Sequence, residues 1–405
     1  MKQGWEIKKM LDVVDFQRGL TYSKNDEVEI SDNVVLRSNN VDLKTNKLDF
    51  TELKYINPKI VIPENKKVKK GSLIICTANG SKSHLGKVAL IDDDYDYAFG
   101  GFMGLIKPKE NLNSDFLFHL MTSEAYKKFI GGLSDGANIN NLKFGDLGKF
   151  EIPLPPLHEQ KRIVSILDEA FAAIAKAKAN AEENLKNAKE LFEVYLHKYY
   201  TSKEEGWEQK NLKEVAEYFN GLTYSPKDVG KEGIIVLRSS NVQNDDLDFN
   251  DIVRVKLTVK EKIIVKDGDI LMCSRNGSAR LVGKTATIKN LDEEMTFGTF
   301  MMIIRSEYNP YLSWFFKSTN FRNQIKGGEN TMINQITRYM LDDVVLSFPT
   351  IDKQNEIVQQ LDALSKEIRK LDIIYNKKIN DLEELKKVVL QKAFSGELKT
   401  VTALV

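Results

Sequence analysis

Gly19-Leu20-Thr21-Tyr22-Ser23 is written a second time as Gly221-Leu222-Thr223-Tyr224-Ser225, and Gly4-Trp5-Glu6 returns at the same displacement as Gly206-Trp207-Glu208. Outward from these blocks, Val35-Leu36-Arg37-Ser38 matches Val236-Leu237-Arg238-Ser239, and Cys76 with Asn79-Gly80-Ser81 matches Cys273 with Asn276-Gly277-Ser278. The displacement drifts by a few residues between blocks, where surface loops tolerate insertions. A chain of 405 residues is also too long for one hydrophobic core. The repeat therefore implies two copies of one architecture, a pseudo-symmetric molecule suited to a pseudo-symmetric partner.

Hydrophobic residues make up 42% of the chain and charged residues 29%, which gives each half material for a compact domain plus something extended. Met1 to Met10 carries no apolar signal core, and no window approaches the roughly 20 apolar residues of a membrane span. The expectation is a cytoplasmic protein with no membrane partner. Cys76 and Cys273 lie at equivalent places inside apolar runs and read as buried strand thiols. The four histidines have no ligand spacing, so no metal site is expected. A formal net charge of +1 leaves a polyanion partner to be decided by local pattern.

In the first half the short apolar runs Val34–Leu36, Leu73–Cys76, Val88–Ile91 and Phe102–Ile106 are bounded by Gly, Asn and Asp and predict strands. The spacing of Phe116, Leu117, Leu120, Met121 and Phe129 predicts one amphipathic helix over Asn113–Ile130. A last strand near Phe150–Ile152 runs into Pro153-Leu154-Pro155-Pro156, where proline closes one element and presets the next.

From His158 to about Tyr199 there is neither Pro nor Gly. An apolar seam runs through Ile163, Leu167, Ala170, Ile174, Ala177, Ala181, Leu185, Ala188, Phe192 and Tyr195. The second half repeats it through Ile357, Leu361, Leu364, Ile368, Leu371, Tyr375, Lys378, Leu382, Leu385 and Val389. At ~1.5 Å per residue each helix would be roughly 60 Å long. A mixed α/β fold follows: globular residues 1–156, a first long spacer helix 157–201, globular residues 202–350, then a second long helix and C-terminal tail 351–405. The two helices are expected to pair as an antiparallel coiled coil with pseudo-two-fold symmetry. The alternative is that each lies along another subunit.

Enzymatic motifs fail on inspection. Gly277 to Gly283-Lys284-Thr285 resembles a phosphate-binding loop, but the glycines are one residue too far apart and Thr285–Ile288 reads as a strand where a helix N-terminus is needed. Asn309-Pro310-Tyr311 lacks the second proline of the amino-methyltransferase motif and more simply starts a helix over Tyr311–Phe316. Glu52-Leu53-Lys54 is a common chance triplet, and no nucleophile, histidine and acid recur in equivalent places.

What recurs is a pair of polar loops. Arg37-Ser38-Asn39-Asn40 corresponds to Arg238-Ser239-Ser240-Asn241, and Thr77-Ala78-Asn79-Gly80-Ser81-Lys82-Ser83 to Ser274-Arg275-Asn276-Gly277-Ser278-Ala279-Arg280. Arg and Asn make bidentate bonds to guanine and adenine edges, whereas Lys and Ser suit phosphates. Solvated turns are also rich in Asn, Gly and Ser. The framework is nevertheless kept while Asn39/Ser240, Ala78/Arg275 and Lys82/Ala279 differ, as two recognition domains with different targets would show.

Ile152-Pro153-Leu154-Pro155-Pro156-Leu157-His158-Glu159-Gln160-Lys161-Arg162-Ile163 closely resembles the junction found in specificity subunits of type I restriction-modification enzymes. The resemblance covers essentially the whole chain, including the Trp near the start of each half, Gly268-Asp269-Ile270-Leu271 and the long helix after each half. The second junction, Phe348-Pro349-Thr350-Ile351-Asp352-Lys353-Gln354-Asn355-Glu356-Ile357, departs from the pattern: it lacks the double proline and the Glu-Gln pair. The resemblance implies two target recognition domains, each reading one half of a split site on double-stranded DNA, held apart by the helical pair. It also implies a non-catalytic chain that docks two modification subunits, which carry S-adenosylmethionine and methylate adenine. Up to two restriction subunits with ATP and magnesium can join them. Half-site centres about one helical turn apart are the geometric expectation.

On this basis Arg37, Asn39, Asn40, Asn79 and Lys82 in the first half are expected to meet bases or phosphates. In the second half the same is expected of Arg238, Ser240, Asn241, Arg275, Asn276 and Arg280. Lys87 and Lys284 are expected to hold phosphates. The likeness of the halves further suggests half-sites that share bases in inverted orientation. The competing functions are an interaction scaffold or silent specificity allele that reads no DNA of its own, and an enzyme acting alone on nucleic acid.

Overall fold

The computed structural model describes residues 3–134, 141–325 and 334–398; the last residues of the C-terminal tail lie outside these ranges. The chain divides into two compact units, Met1–Ala181 with Lys377–Val405, and Glu182–Asn376. Each contains one globular domain and a stretch of both long helices.

In the first unit an antiparallel sheet runs in the order Val14–Arg18, Met103–Pro108, Leu73–Cys76, Val88–Leu90. The run Leu73–Cys76 is apolar at every position because both of its faces are covered. Leu73 and Ile75 enter one core, with Met10, Phe116 and Ile163. Ile74 and Cys76, pointing the other way, enter a second core with Leu36, Phe99 and Leu105. A second sheet, ordered Glu27–Val28, Lys54–Ile56, Val34–Leu36, Ala98–Phe99, ends in a parallel pair. Glu6–Lys9 pairs with Glu151–Leu154, bringing the start of the domain to its exit.

The second unit repeats this plan. Its main sheet runs Glu217–Asn220, Met301–Arg305, Ile270–Cys273, Thr285–Thr287. The other runs Val229–Gly230, Arg254–Val255, Ile234–Leu237, Met295–Phe297, and Glu208–Asn211 pairs with Val345–Phe348. Ile270 and Met272 again face one core while Leu271 and Cys273 face another. The strand at Thr285–Thr287 confirms why Gly277–Lys284 cannot act as a phosphate-binding loop.

The helix expected over Asn113–Ile130 is two helices, Ser114–Met121 and Glu124–Ser134. Asn113 caps the first, its Oδ1 accepting from the Phe116 N–H at 2.8 Å. Thr122 and Ser123 end it: their hydroxyls donate to the carbonyls of His119 and Leu120, and Ser123 Oγ accepts from the Tyr126 N–H to start the next helix. The apolar period passed through this break because side-chain spacing does not register a local capping exchange. In the second unit Pro310 sits in the first turn of Asn309–Phe315, as its position predicts.

The long helices span Leu157–Thr201 and Ile351–Ser395. Within the first unit, Ile163 and Leu167 from the start of one join Leu390 and Ala393 from the end of the other in the domain core, and Lys178 pairs with Glu383. Within the second unit, Leu196 and Tyr200 meet Ile357 and Leu361, Lys189 pairs with Asp372 at 2.6 Å, and the Tyr199 hydroxyl donates to Gln360 Oε1. In each unit the stretches therefore run antiparallel, and both dock on the globular domain. The predicted seam shifts at its ends. Leu196 is buried in the domain core while Tyr195 is exposed, and Leu385 is exposed near the end of the second helix; in mid-helix Lys378 is exposed and the adjacent Ile379 half-buried.

The departed junction keeps its turn. Gln160 Nε2 donates to the Pro155 carbonyl and to that of Asn111, while Gln354 Nε2 donates to the Pro349 carbonyl at 2.8 Å. Both glutamines are buried, so the amide, and not the double proline or the preceding Glu, holds the start of each helix.

Candidate nucleic-acid interface

In the first unit four segments converge on an open cleft of about 930 Å³. They are Leu20–Tyr22 of the repeated block, Arg37–Asn39, Ala78–Gly80 and Gly100–Phe102. The glycine that opens the repeated block explains its recurrence. A Cβ on Gly19 would lie 2.0 Å from the Gly100 carbonyl oxygen, and one on Gly221 would lie 2.2 Å from that of Gly298. Only glycine permits the parallel bridges Leu20 to Gly100 and Leu222 to Gly298.

Those bridges fix a loop tip whose carbonyl is doubly used. The N–H groups of Thr77 and Ala78 both donate to the Phe102 carbonyl, at 2.9 and 3.1 Å; those of Ser274 and Arg275 both donate to the Phe300 carbonyl, at 3.0 and 3.1 Å. Anchored through its backbone, each phenyl ring projects outward, Phe102 75% exposed and Phe300 54% exposed. Sequence reasoning placed Phe102 in a strand and passed over Phe300. The signal that could have found them is the repeated Gly-x-Phe, Gly100-Gly101-Phe102 and Gly298-Thr299-Phe300.

The structure sorts the expected contact residues. Asn40 and Asn241 are corrected from contacts to framework: both are 1% exposed. Asn40 Oδ1 accepts from the Arg37 N–H, and its Nδ2 donates to the carbonyls of Asp49 and Glu52. Asn241 does the same with Arg238, Asp248 and Asp251. Lys87 and Lys284 are corrected likewise. Lys87 Nζ is buried and donates to the Val41 carbonyl at 2.8 Å; Lys284 Nζ donates to the carbonyls of Ser239 and Val242. Burial lowers the pKa of both ammonium groups, the expected direction for a desolvated cation.

Asn79 and Asn276 tie the two loops together: the Nδ2 of each donates to Ser38 Oγ or Ser239 Oγ, and the Oδ1 accepts from Ser81 or Ser278 N–H. They position the cleft more than they offer themselves to it. Arg238 pairs with Asp251 at 2.7 Å and is half-buried. Arg37 lines the cleft half-buried, and its Nε has no hydrogen-bond partner among the described residues. Asn39 is exposed and only loosely held by Glu52, at 3.4 Å. Ser240 is half-buried in the short turn Ser239–Asn241, and Lys82 and Arg280 stand exposed on the short helical turns Lys82–His84 and Ala279–Leu281. Arg275 is exposed, with its guanidinium carbon 5.4 Å from the centre of the Phe300 ring.

The arrangement suits binding more than bond making. Cys76 and Cys273 are fully buried, their thiols donate to the carbonyls of Ala78 and Arg275, and burial raises both pKa values, so neither is a ready nucleophile. Among the described residues no three His, Cys, Asp or Glu side chains gather as a metal site, and no helix is long and apolar enough to cross a membrane. What remains is a loop frame built twice, rich in Arg, Asn and Ser with an exposed aromatic ring at its tip, which in the first unit encloses the cleft.

The family model described as type I restriction modification DNA specificity domain matches residues 2–186 and again 204–384. The chain is 29% identical to the type I restriction enzyme EcoKI specificity subunit of Escherichia coli K12, over 98% of this chain and 90% of that one. It is 28% identical, with the same coverage, to the StySPI specificity subunit of Salmonella potsdam. Its fold resembles a chain from a type I R-M system solved for its complex assembly and conformational transition, at TM-score 0.80, 20% identity and coverage of 98% and 99%. It also resembles the HsdS subunit from Thermoanaerobacter tengcongensis at TM-score 0.64 and 19% identity, covering 98% of both chains.

Proposed function

The chain belongs to the type I restriction-modification DNA specificity family, and on that premise we propose that it is the sequence-specificity subunit of such a complex, each globular domain reading one half of a bipartite DNA site. The observation that carries this is the loop frame built twice. The same glycine contact, the same Asn bracket and the same paired N–H groups on a phenylalanine carbonyl recur in both units, while the side chains at the rim differ. Rigid scaffolds with variable tips are how related domains read different bases. The long helices carry the docking surface for two modification subunits, and restriction subunits join through that assembly. This chain performs no chemistry itself. S-adenosylmethionine belongs to the modification subunits, and ATP and magnesium to the restriction subunits.

The test is co-expression of this chain with its neighbouring modification subunit, followed by single-molecule mapping of adenine methylation across the host genome. A bipartite motif that vanishes when this chain is omitted is the expected result. A confirmed complex that yields no motif would instead support a scaffold without DNA reading.

A further inference from the structure

Positions 78 and 275 are the same backbone site carrying different chemistry. Each N–H donates to the phenylalanine carbonyl of the neighbouring tip, and each carbonyl accepts from the thiol two residues earlier. Each also forms an isolated antiparallel bridge to a segment distant in sequence, Ala78 to Asn141 and Arg275 to Gln335. With the frame held this closely, the side chain is the one variable. In the first unit Ala78 leaves the Phe102 ring bare; in the second, Arg275 lies over the Phe300 ring. Attraction to an aromatic face restrains the guanidinium while leaving N–H groups of its planar fork free to donate in pairs. The nearby Arg238 is already committed to Asp251, whereas Arg275 is exposed and has no ion pair among the described residues.

We propose that this position, acting with the tip phenylalanine, sets one base of each half-site. Arg275, held against Phe300, reads a guanine through its O6 and N7 in the second half-site. At the equivalent step of the first, the uncovered Phe102 ring packs on a thymine methyl group. The chemistry fits the major-groove edges: two parallel acceptors for a planar donor fork, and an apolar group for an apolar ring. An exposed ring on a rigid tip loses little conformational freedom on contact, so its apolar area is available for binding. The half-sites would then differ at this step even where the rest of the frame favours similar bases. The proposal rests on the specificity function set out above.

The experiment maps methylation motifs for the wild-type complex and for complexes carrying Arg275→Ala, Arg275→Lys, Ala78→Arg and Phe102→Ala. The expected results are that Arg275→Ala and Arg275→Lys each relax one guanine of the second half-site, with discrimination falling about tenfold to a hundredfold, and leave the first untouched. Ala78→Arg replaces a thymine requirement in the first half-site by guanine, and Phe102→Ala relaxes the same step. The lysine variant separates base reading from charge. If it preserves the wild-type motif while the alanine variant lowers methylation evenly at all sites, Arg275 holds a phosphate and the inference is overturned. A wild-type motif unchanged in Arg275→Ala also overturns it and leaves the specificity function standing. A wild-type complex with no motif sinks that function, and this inference with it.

Discussion

Asn241→Ala separates a contact residue from a framework residue. The side chain closes three hydrogen bonds at 2.8, 2.9 and 2.9 Å, one from the Arg238 N–H and two to the carbonyls of Asp248 and Asp251, at a site 1% exposed. Alanine leaves all three backbone groups without that partner in a space closed to water. At a net value of about 1 kcal/mol for each bond, the loss is about 3 kcal/mol, toward the upper end for a single substitution. For a unit of this size each kcal/mol moves the melting temperature by ~2–4 °C, so the transition containing the second domain should fall by ~6–12 °C. Circular dichroism melts of the full chain measure this, with Ser240→Ala as a neighbouring control expected within ~0.5 kcal/mol of wild type. Methylation mapping at a permissive temperature should still return the wild-type second half-site. An Asn241→Ala protein that melts with wild type yet loses a base of the second half-site would refute the reasoning, since its amide would then face DNA.

Three further outcomes follow from the same geometry. Lys87→Met should leave the slope of log affinity against log salt unchanged, because its ammonium is turned inward, whereas Arg280→Ala should reduce that slope by about 0.9 if it meets a phosphate. His119 is buried, and burial lowers its pKa below 6.5 although the Asp168 carboxylate at 2.9 Å opposes the shift. The unfolded chain therefore binds more protons between the folded pKa and 6.5, and stability of the first unit should fall as pH drops through that window. Denaturant midpoints at neutral pH and at about pH 5.5 test this, and His119→Gln should flatten the difference. Gly19→Ala should abolish reading of the first half-site, since its Cβ would overlap the Gly100 carbonyl at 2.0 Å, while the second domain keeps its fold as judged by limited proteolysis.

Much of the architecture was legible because it is periodic or repeated. Two long helices could be read from an unbroken seam without Pro or Gly, and buried strands from the apolar runs at Leu73–Cys76 and Ile270–Cys273. The repeat located the polar loops in both halves. The break at Thr122-Ser123 escaped because hydroxyl caps interrupt hydrogen bonding without disturbing apolar spacing. The equivalence of Gln354 to Gln160 is hidden in the sequence because the second junction lacks both the double proline and the Glu-Gln pair, whereas the fold reuses one amide.

The sequence by itself determined the duplicated mixed α/β plan and the family, since both depend on pattern along the chain. Only the tertiary structure decided which polar side chains are spent inside the fold. Arg, Asn and Lys have the same composition whether they cap a backbone or face a ligand. Asn40, Asn241, Lys87 and Lys284 turned inward because closely packed loops left carbonyls and N–H groups that had to be satisfied, while the Phe102 and Phe300 rings turned outward because their own backbone was pinned from behind. That choice is made by three-dimensional hydrogen-bond satisfaction, which no linear spacing encodes.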